Sequence, residues 1–159
     1  MKKFKHLDCV LLVDDDRFIN IVQAKAVVKA DIGVEVKAVT SVEEAFAFLT
    51  ASGGDEETPL IPRPGIIFLD INMPGLTGWD FMDLYHKLDP RQKVKIVVAM
   101  LTTSLNPDDQ QRAMSDDGIV AFLHKPLRPG MVVELAERYF DRQQGSEQAS
   151  VDPAPLVEE

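Results

Sequence analysis

Five short apolar runs divide the chain, and four of them contain almost no polar residue. They lie at 9–13, 34–39, 66–69, 94–101 and 119–123. Nearly continuous apolar runs of this length are typical of strands that are covered on both faces of a parallel sheet. The run at 34–39 instead alternates, with Glu35 and Lys37 between apolar residues, and this pattern predicts a strand at the edge of the sheet.

Apolar residues at helical spacing fill the gaps between these runs. The spacing predicts five helices, at 16–32, 42–51, 78–89, 107–117 and 129–141. The fourth helix has only Ala113 and Met114 as apolar anchors, which predicts loose packing. Strand and helix alternate five times, and this order predicts an α/β fold with a parallel sheet between two layers of helices.

Two further stretches have no core-forming pattern. Residues 52–65 are rich in glycine, proline and acid, which predicts a long loop. Residues 143–159 carry acids and prolines but no base, which predicts a disordered acidic tail. The chain of 159 residues is therefore expected to form one domain over residues 1–142, followed by that tail at 143–159.

Charge and hydropathy narrow the classes of function. The formal net charge of −9 argues against a sequence-independent grip on nucleic acid, which depends on clustered lysine and arginine. No apolar run approaches the ~20 residues that span a bilayer. The apolar stretch at 9–13 is followed by acids rather than by a cleavage site, which argues against secretion. We therefore expect a cytoplasmic protein that binds neither nucleic acid nor membrane, with Cys9 packed as a small hydrophobic residue.

Polar side chains follow four of the five predicted strands at the point where each strand ends. They are Asp14, Asp15 and Asp16 after the first strand, Asp70 and Asn72 after the third, Thr102, Thr103 and Ser104 after the fourth, and His124 and Lys125, followed by Pro126, after the fifth. Ligands of open parallel sheets bind outside the carboxyl ends of the strands. These side chains are therefore expected to meet at one edge of the sheet.

The chemistry of this set points to phosphoryl transfer. Neighbouring carboxylates repel one another unless a cation joins them, and all-oxygen ligation by few carboxylates suits Mg²⁺, which also binds phosphate oxygens. Thr102 can donate a hydrogen bond to an anion, and Lys125 can supply a positive charge. A carboxylate can itself attack phosphorus and form an aspartyl phosphate. The predicted edge holds the groups that such a reaction needs.

Four motifs in order carry a family resemblance. VDDD, LDINMPGLTGWD, MLTTS and FLHKPL together resemble the receiver domain of bacterial two-component response regulators, and the resemblance covers residues 7–141. It implies a flavodoxin-like, doubly wound sheet of five parallel strands in the order 2-1-3-4-5, with five helices. It also implies a stand-alone, chemotaxis-receiver-like protein, since nothing after residue 141 is expected to form an output domain.

The resemblance implies a phosphoacceptor and a metal site. Asp70 is the expected phosphoacceptor. Asp15, Asp70 and the backbone carbonyl of Asn72 are expected to bind Mg²⁺, or Mn²⁺ in its place, with Asp14 acting through water. Asp16 falls at a variable family position and is expected to cap the first helix instead.

The resemblance also implies the residues that respond to phosphorylation. Thr102 is the expected switch hydroxyl, and Lys125 is the expected phosphate-binding lysine, with a cis peptide bond to Pro126. Phe122, three residues before the lysine, stands where the family carries its switch aromatic residue, although core packing explains it equally well. The phosphodonor is expected to be a sensor histidine kinase or a histidine phosphotransfer protein, and the downstream protein target is unknown.

Three other functions fit parts of the pattern. A phosphatase of the haloacid dehalogenase type also uses Asp, Thr, Lys and Mg²⁺, but its nucleophile is normally followed two residues later by an acid, where this chain has Asn72. A flavin binder of the same topology needs a phosphate loop after the first strand, and three carboxylates there would repel the phosphate. A receiver kept only as a phosphorylation-independent docking module remains the third alternative.

Overall fold

Strands and helices alternate along the chain, as the apolar pattern predicts. The computed structural model describes residues 2–52, 63–93, 95–143 and 155–157. The elements are β1 (Cys9–Val13), α1 (Arg17–Ala30), β2 (Glu35–Val39), α2 (Val42–Ser52), β3 (Ile66–Leu69), α3 (Gly78–His86), a short 3-10 helix (Pro90–Gln92), β4 (Val97–Thr102), α4 (Pro107–Met114), β5 (Ile119–His124), α5 (Pro129–Tyr139) and β6 (Leu156–Val157). The predicted loop at 52–65 falls mostly on residues 53–62, which lie outside the described residues.

The sheet has the predicted strand order, with one strand added. The six strands lie in the order β2-β1-β3-β4-β5-β6, and every neighbouring pair is parallel. The order 2-1-3-4-5 and the five helices are confirmed. Strand β2 lies at one edge of the sheet, as predicted, and its Glu35 and Lys37 are exposed.

The added strand comes from the predicted tail. Leu156 and Val157 pair with Ala121 and Phe122 of β5. The expectation of a disordered tail at 143–159 therefore fails at 155–157, while residues 144–154 and 158–159 lie outside the described residues. A parallel neighbour needs a crossover connection of a dozen or more residues, and α5 with the chain after it provides that length. Two apolar residues in an otherwise polar stretch are too weak a pattern to predict a strand.

Two apolar layers hold the sheet from opposite sides. On one side the core contains residues of α1 and α5, together with Phe4 and Leu7 from the segment before β1. On the other side it contains residues of α2 and α3, together with Ala113 of α4. Residues 1–8 show no sequence pattern that predicts this burial, yet Phe4 forms a backbone bridge with Arg142 beyond the end of α5.

Helix α1 corrects one detail of the predicted pattern. The helical spacing of Ile19, Val22 and Ala26 predicts that Val22 lies on the buried face, but it is 41% exposed, whereas Gln23 is buried. The helix buries Asn20, Gln23, Ala26, Val27 and Ala30. The buried face therefore starts with two polar residues close to the carboxyl edge of the sheet. Among the described residues, no helix is long and apolar enough to cross a membrane.

Candidate functional site

The carboxyl ends of β1 and β3 place two acids side by side. The backbone N–H of Asp14 donates to the carbonyl of Val39, and that of Asp70 donates to the carbonyl of Val13 at 3.0 Å. Each acid therefore continues the hydrogen bonding of its strand by one residue. Both side chains are buried, whereas Asp15, which follows Asp14, is exposed.

Three carboxylates converge at this edge. One oxygen each from Asp14, Asp15 and Asp70 lies within 4.8 Å of the other two. Asp16 is excluded from the cluster by its own role: its side chain accepts hydrogen bonds from the backbone N–H groups of Phe18 and Ile19 and so caps α1. The predicted division of the acidic run into metal candidates and a helix cap agrees with this geometry.

Lys125 lies among the buried acids. Its ammonium Nζ is 2.5 Å from Oδ2 of Asp14 and 3.4 Å from Oδ1 of Asp70, and the side chain is only 14% exposed. The peptide bond between Lys125 and Pro126 is cis, as predicted. The backbone N–H of Lys125 donates to the carbonyl of Thr102 at 2.9 Å, which fixes the start of the turn after β5.

Burial dominates the electrostatics of Asp70. Loss of solvent raises the pKa of Asp70 to about 6, and the neighbouring charge of Asp14 adds to this effect. Lys125 and the backbone N–H of Asn72, which donates to the carboxylate, act in the opposite direction on the same pKa. A partly compensated carboxylate of this kind gains stability from a further cation.

The end of β4 provides the hydroxyl. Thr102 is fully buried, and its Oγ1 accepts a hydrogen bond from the backbone N–H of Ser104 at 3.0 Å. Because Oγ1 acts as an acceptor in this bond, the hydroxyl proton of Thr102 can still be donated to another group. Ser104 in turn donates through Oγ to Asp109 of α4, at 2.5 Å. Thr102 is therefore connected to the first turn of α4 through one residue.

Phe122 lies in the core under α4. It is 1% exposed, belongs to the same apolar cluster as Ala113, and its ring meets that of His124 edge-on with 5.7 Å between centroids. Thr102 and Phe122 are on neighbouring strands, where Thr102 pairs with His124. The structure thus brings the predicted hydroxyl and the predicted aromatic residue to adjacent strands.

Comparisons with known proteins identify the family. The family model described as "Response regulator receiver domain" matches residues 10–137. The chemotaxis protein CheY of Thermotoga maritima is 29% identical over 133 residues, which cover 81% of this chain and 94% of that protein. A two-component response regulator from Cytophaga hutchinsonii has a crystal structure that superimposes with a TM-score of 0.72, at 33% identity, and the match covers 84% of this chain and 96% of that one.

The chain belongs to the family of response regulator receiver domains. As a member of that family it is not a conventional enzyme, and the phosphatase alternative is therefore set aside. Some relatives are much longer than this chain: the hybrid signal transduction histidine kinase L of Dictyostelium discoideum is 29% identical over 133 residues, which cover 81% of this chain and only 7% of the kinase. The chain spans between 7% and 27% of the length of three such relatives.

The acidic cluster of this receiver domain fits a divalent cation. Three carboxylates face one ammonium, so the ionised site carries two uncompensated negative charges. All three donors are oxygen atoms, the ligand type that hard divalent cations such as Mg²⁺ prefer. Asn72 is exposed in the loop that follows Asp70, beyond the carboxyl end of β3. The donor set is consistent with the divalent-metal site of receiver domains.

Two supporting residues of the receiver domain escaped the sequence analysis. Asn20 donates from its side-chain amide to the carbonyls of Asp14 and Val39, at 2.9 and 3.1 Å, and so ties α1 to the end of β1. Gly78 begins α3 against the site, since a Cβ atom there would lie 2.4 Å from the carbonyl oxygen of Asp70. For Asn20, the sequence signal is a polar residue at the start of the apolar face of the first helix. For Gly78, the only sequence signal is the presence of a glycine at the start of a helix.

Proposed function

We propose that this receiver domain is a phosphorylation switch in which Asp70 accepts a phosphoryl group in the presence of Mg²⁺. The observation that carries the proposal is the geometry around this side chain. Asp70 is a buried carboxylate that shares one edge of the sheet with two further carboxylates and lies 3.4 Å from the ammonium of Lys125. A purely structural acid has no need of two like charges beside it.

The proposed reaction is an in-line displacement at phosphorus. An oxygen of Asp70 attacks the phosphorus of a phosphohistidine, the new P–O bond gives an acyl phosphate, and the P–N bond breaks with its electrons on the leaving imidazole, which takes up a proton. Lys125 lies where it can pair with an oxygen of the transferred group. Asp15, Asp70 and the carbonyl of Asn72 would hold Mg²⁺, with Asp14 acting through water, and the ion would supply positive charge to the phosphoryl oxygens. Mn²⁺ would serve in the same way.

The same geometry supports a response to phosphorylation. An acyl phosphate on Asp70 offers the hydroxyl of Thr102 an anionic acceptor, and a hydrogen bond to a charged group contributes ~1.5–3 kcal/mol. Movement of Thr102 toward it would pull on Ser104 and hence on α4. Phe122, on the neighbouring strand, is the large side chain that would repack. This differential interaction is what a two-state switch requires.

The phosphodonor is proposed to be a sensor histidine kinase or a histidine phosphotransfer protein that docks on α1. Seven large hydrophobic residues are exposed among the described residues, and four of them lie on this helix: Phe18, Ile21, Val22 and Val28. Phe18 is 70% exposed and follows the acidic run by only two residues. An apolar helix face that borders the site is a surface on which a donor protein can be held. Output would pass through contacts with a downstream protein at the face formed by α4, β5 and α5.

Intact-mass measurement after incubation with Mg²⁺ and acetyl phosphate tests the phosphoacceptor. We expect one phosphoryl group per chain, no incorporation in excess chelator, and none in Asp70→Asn. Asp16→Asn is the matched control because it removes a carboxylate from the same edge without touching the cluster, and it should still be phosphorylated. Full incorporation in Asp70→Asn would overturn the assignment. Full incorporation in chelator would overturn the role of the metal.

A further inference from the structure

The outer edge of the sheet beside Phe122 is covered by the chain's own tail. Leu156 pairs with Ala121 and Val157 with Phe122, in parallel orientation. Both tail side chains are partly buried, and Leu156 packs against the apolar cluster on the α1–α5 side. The tail thus forms the last strand at an edge where β5 would otherwise present open backbone groups.

The alternation of side chains along a strand links this contact to the switch region. Neighbouring residues in register on parallel strands point to the same face of the sheet. Phe122 belongs to the apolar cluster on the α4 side, so Val157 flanks it on that side, while Leu156 faces the side of α5. Val157 is therefore the tail residue that lies next to Phe122 across the strand pair, on the face of the sheet that α4 covers.

The docked strand is a weakly held part of the fold. It consists of two residues, and eleven residues, 144–154, separate it from the described end of the domain. A strand of two residues forms few backbone hydrogen bonds, and these give only a small net stabilisation. Elements of this kind open at low free energy, which suits them for regulation.

We propose that the β5 edge is a docking surface whose occupant is the chain's own Leu156–Val157 strand, and that phosphorylation of Asp70 weakens this docking through Phe122. The second half rests on the proposed function, whereas the first does not. When the tail leaves, the β5 edge becomes available to other contacts, so the docked tail acts as an autoinhibitory strand. Because coupling between two binding events is reciprocal, loss of the tail should favour the phosphorylated arrangement to the same degree.

A matched pair of double variants isolates the strand. Leu156→Asp with Val157→Asp places two charges into the docked segment. Val151→Asp with Ala154→Asp adds the same charge to the same tail outside the strand. Amide exchange measured by NMR on the unphosphorylated full chain tests docking directly. We expect exchange in 119–124 to be faster by about threefold or more in the first variant, and unchanged in the second. Equal exchange in all three proteins would overturn the docking.

Titration with beryllofluoride, a phosphoryl mimic, in Mg²⁺ tests the coupling. The midpoint, followed by amide shifts, should fall about threefold in the strand variant relative to the wild-type chain and the control, and exchange at 155–157 should rise as the mimic binds the wild-type chain. Equal midpoints would overturn the coupling while leaving docking intact. If no protein binds the mimic or takes up phosphate, the proposed function fails, and the amide exchange measured without the mimic still decides the docking.

Native mass spectrometry tests whether the strand belongs to the same chain. A monomer supports docking within one chain. A dimer that is lost in the strand variant would overturn it, because the strand would then be swapped between two copies.

Discussion

Helices α4 and α5 flank the same strand from opposite faces, and they are held by different forces. Helix α5 buries Met131, Val132, Leu135 and Ala136 against the sheet, whereas α4 buries only Ala113. Apolar burial of several side chains fixes a helix in one position. The sparse apolar pattern of α4 correctly predicted that it lacks such an anchor.

Polar tethers take the place of apolar packing on α4. The guanidinium of Arg112 lies 4.3 Å from the ring centroid of Trp79 in α3. Just beyond the helix, Asp116 accepts from or pairs with Nε2 of His86 at 2.7 Å. Exposed contacts of these kinds contribute about 1 kcal/mol or less each. We infer that α4, which is connected to Thr102 through Ser104, can shift at a low cost in free energy, while α5 keeps its position.

The largest expected loss of stability comes from a substitution in α5, the helix that is held by apolar burial. Leu135→Ala removes a fully buried side chain of α5 and should lower the free energy of unfolding by about 2–5 kcal/mol, because the cavity it leaves cannot close completely. Urea denaturation with an unchanged slope would measure it. Leu84→Ala on α3, where the side chain is 39% exposed, is the control and should cost far less. Equal losses would mean that the burial of Leu135 does not determine how firmly α5 is held.

The next largest loss of stability is expected for a substitution at Gly78, which packs against the backbone of Asp70. Gly78→Ala would put a Cβ atom 2.4 Å from the carbonyl oxygen of Asp70, so that backbone must move, at a cost of about 1–3 kcal/mol. Gly130→Ala in α5 is a matched control, since a Cβ atom there meets nothing within 4 Å. Thermal unfolding of both variants would test this. A Gly78→Ala protein as stable as Gly130→Ala would show that the backbone of Asp70 can move away from residue 78 at no cost.

The ionised state of Asp70 should destabilise the metal-free domain. Its folded pKa is raised to about 6 from an ordinary value near 4, so the folded state binds the proton more tightly, and stability falls as pH rises between these values. In chelator, Asp70→Asn should therefore be more stable than wild type above pH 6, by on the order of 1–2 kcal/mol after allowance for solvent screening, and should lose this advantage near pH 4.

Melting temperatures across that pH range would measure the difference. Added Mg²⁺ should reduce or reverse it, because only the wild-type site retains all three carboxylates. Asp16→Asn serves again as the control: asparagine also caps helices, so this variant should show no gain in stability over wild type as the pH rises. A wild-type protein that is more stable than Asp70→Asn at pH 7.5 in chelator would contradict the raised pKa.

The smallest expected loss of stability comes from removing the contact between Arg112 and Trp79. Arg112→Ala should cost only about 0.5–1 kcal/mol of stability, because an exposed cation over a partly buried aromatic ring contributes little. The fluorescence of Trp79 should nevertheless change, since the ring loses its cation. Gln111→Ala, exposed on the same helix, should alter neither property. A loss above about 2 kcal/mol would mean that α4 is held as firmly as α5.

The sequence predicted most of the sheet because strand burial is recorded in local composition. The runs at 9–13 and 66–69 coincide with β1 and β3, which are covered on both faces and tolerate few polar residues. Helix ends were predicted less well: α3 ends at His86 and α4 at Met114, each three residues before the predicted end. Polar last turns carry no periodic signal, and tertiary contacts decide where they end.

The site was predictable where the chemistry is local and not where it depends on distant contacts. Asp14, Asp70 and Lys125 follow apolar strands directly, so their meeting at one edge could be inferred from topology. The pairing of Val157 with Phe122 joins residues 35 positions apart through a two-residue strand, and no short pattern records it. The proximity of Gly78 to the backbone of Asp70 is likewise a property of packing.

Hydrogen exchange with and without beryllofluoride in Mg²⁺ tests the central comparison most directly. If phosphorylation of Asp70 shifts α4 and β5, protection should change across 102–124, which includes both elements, as well as in the loops around Asp70. Residues 129–139 of α5 and 9–13 of β1 should keep their protection because apolar burial holds them. Changes confined to the loops around Asp70, with none in 102–124, would contradict the account.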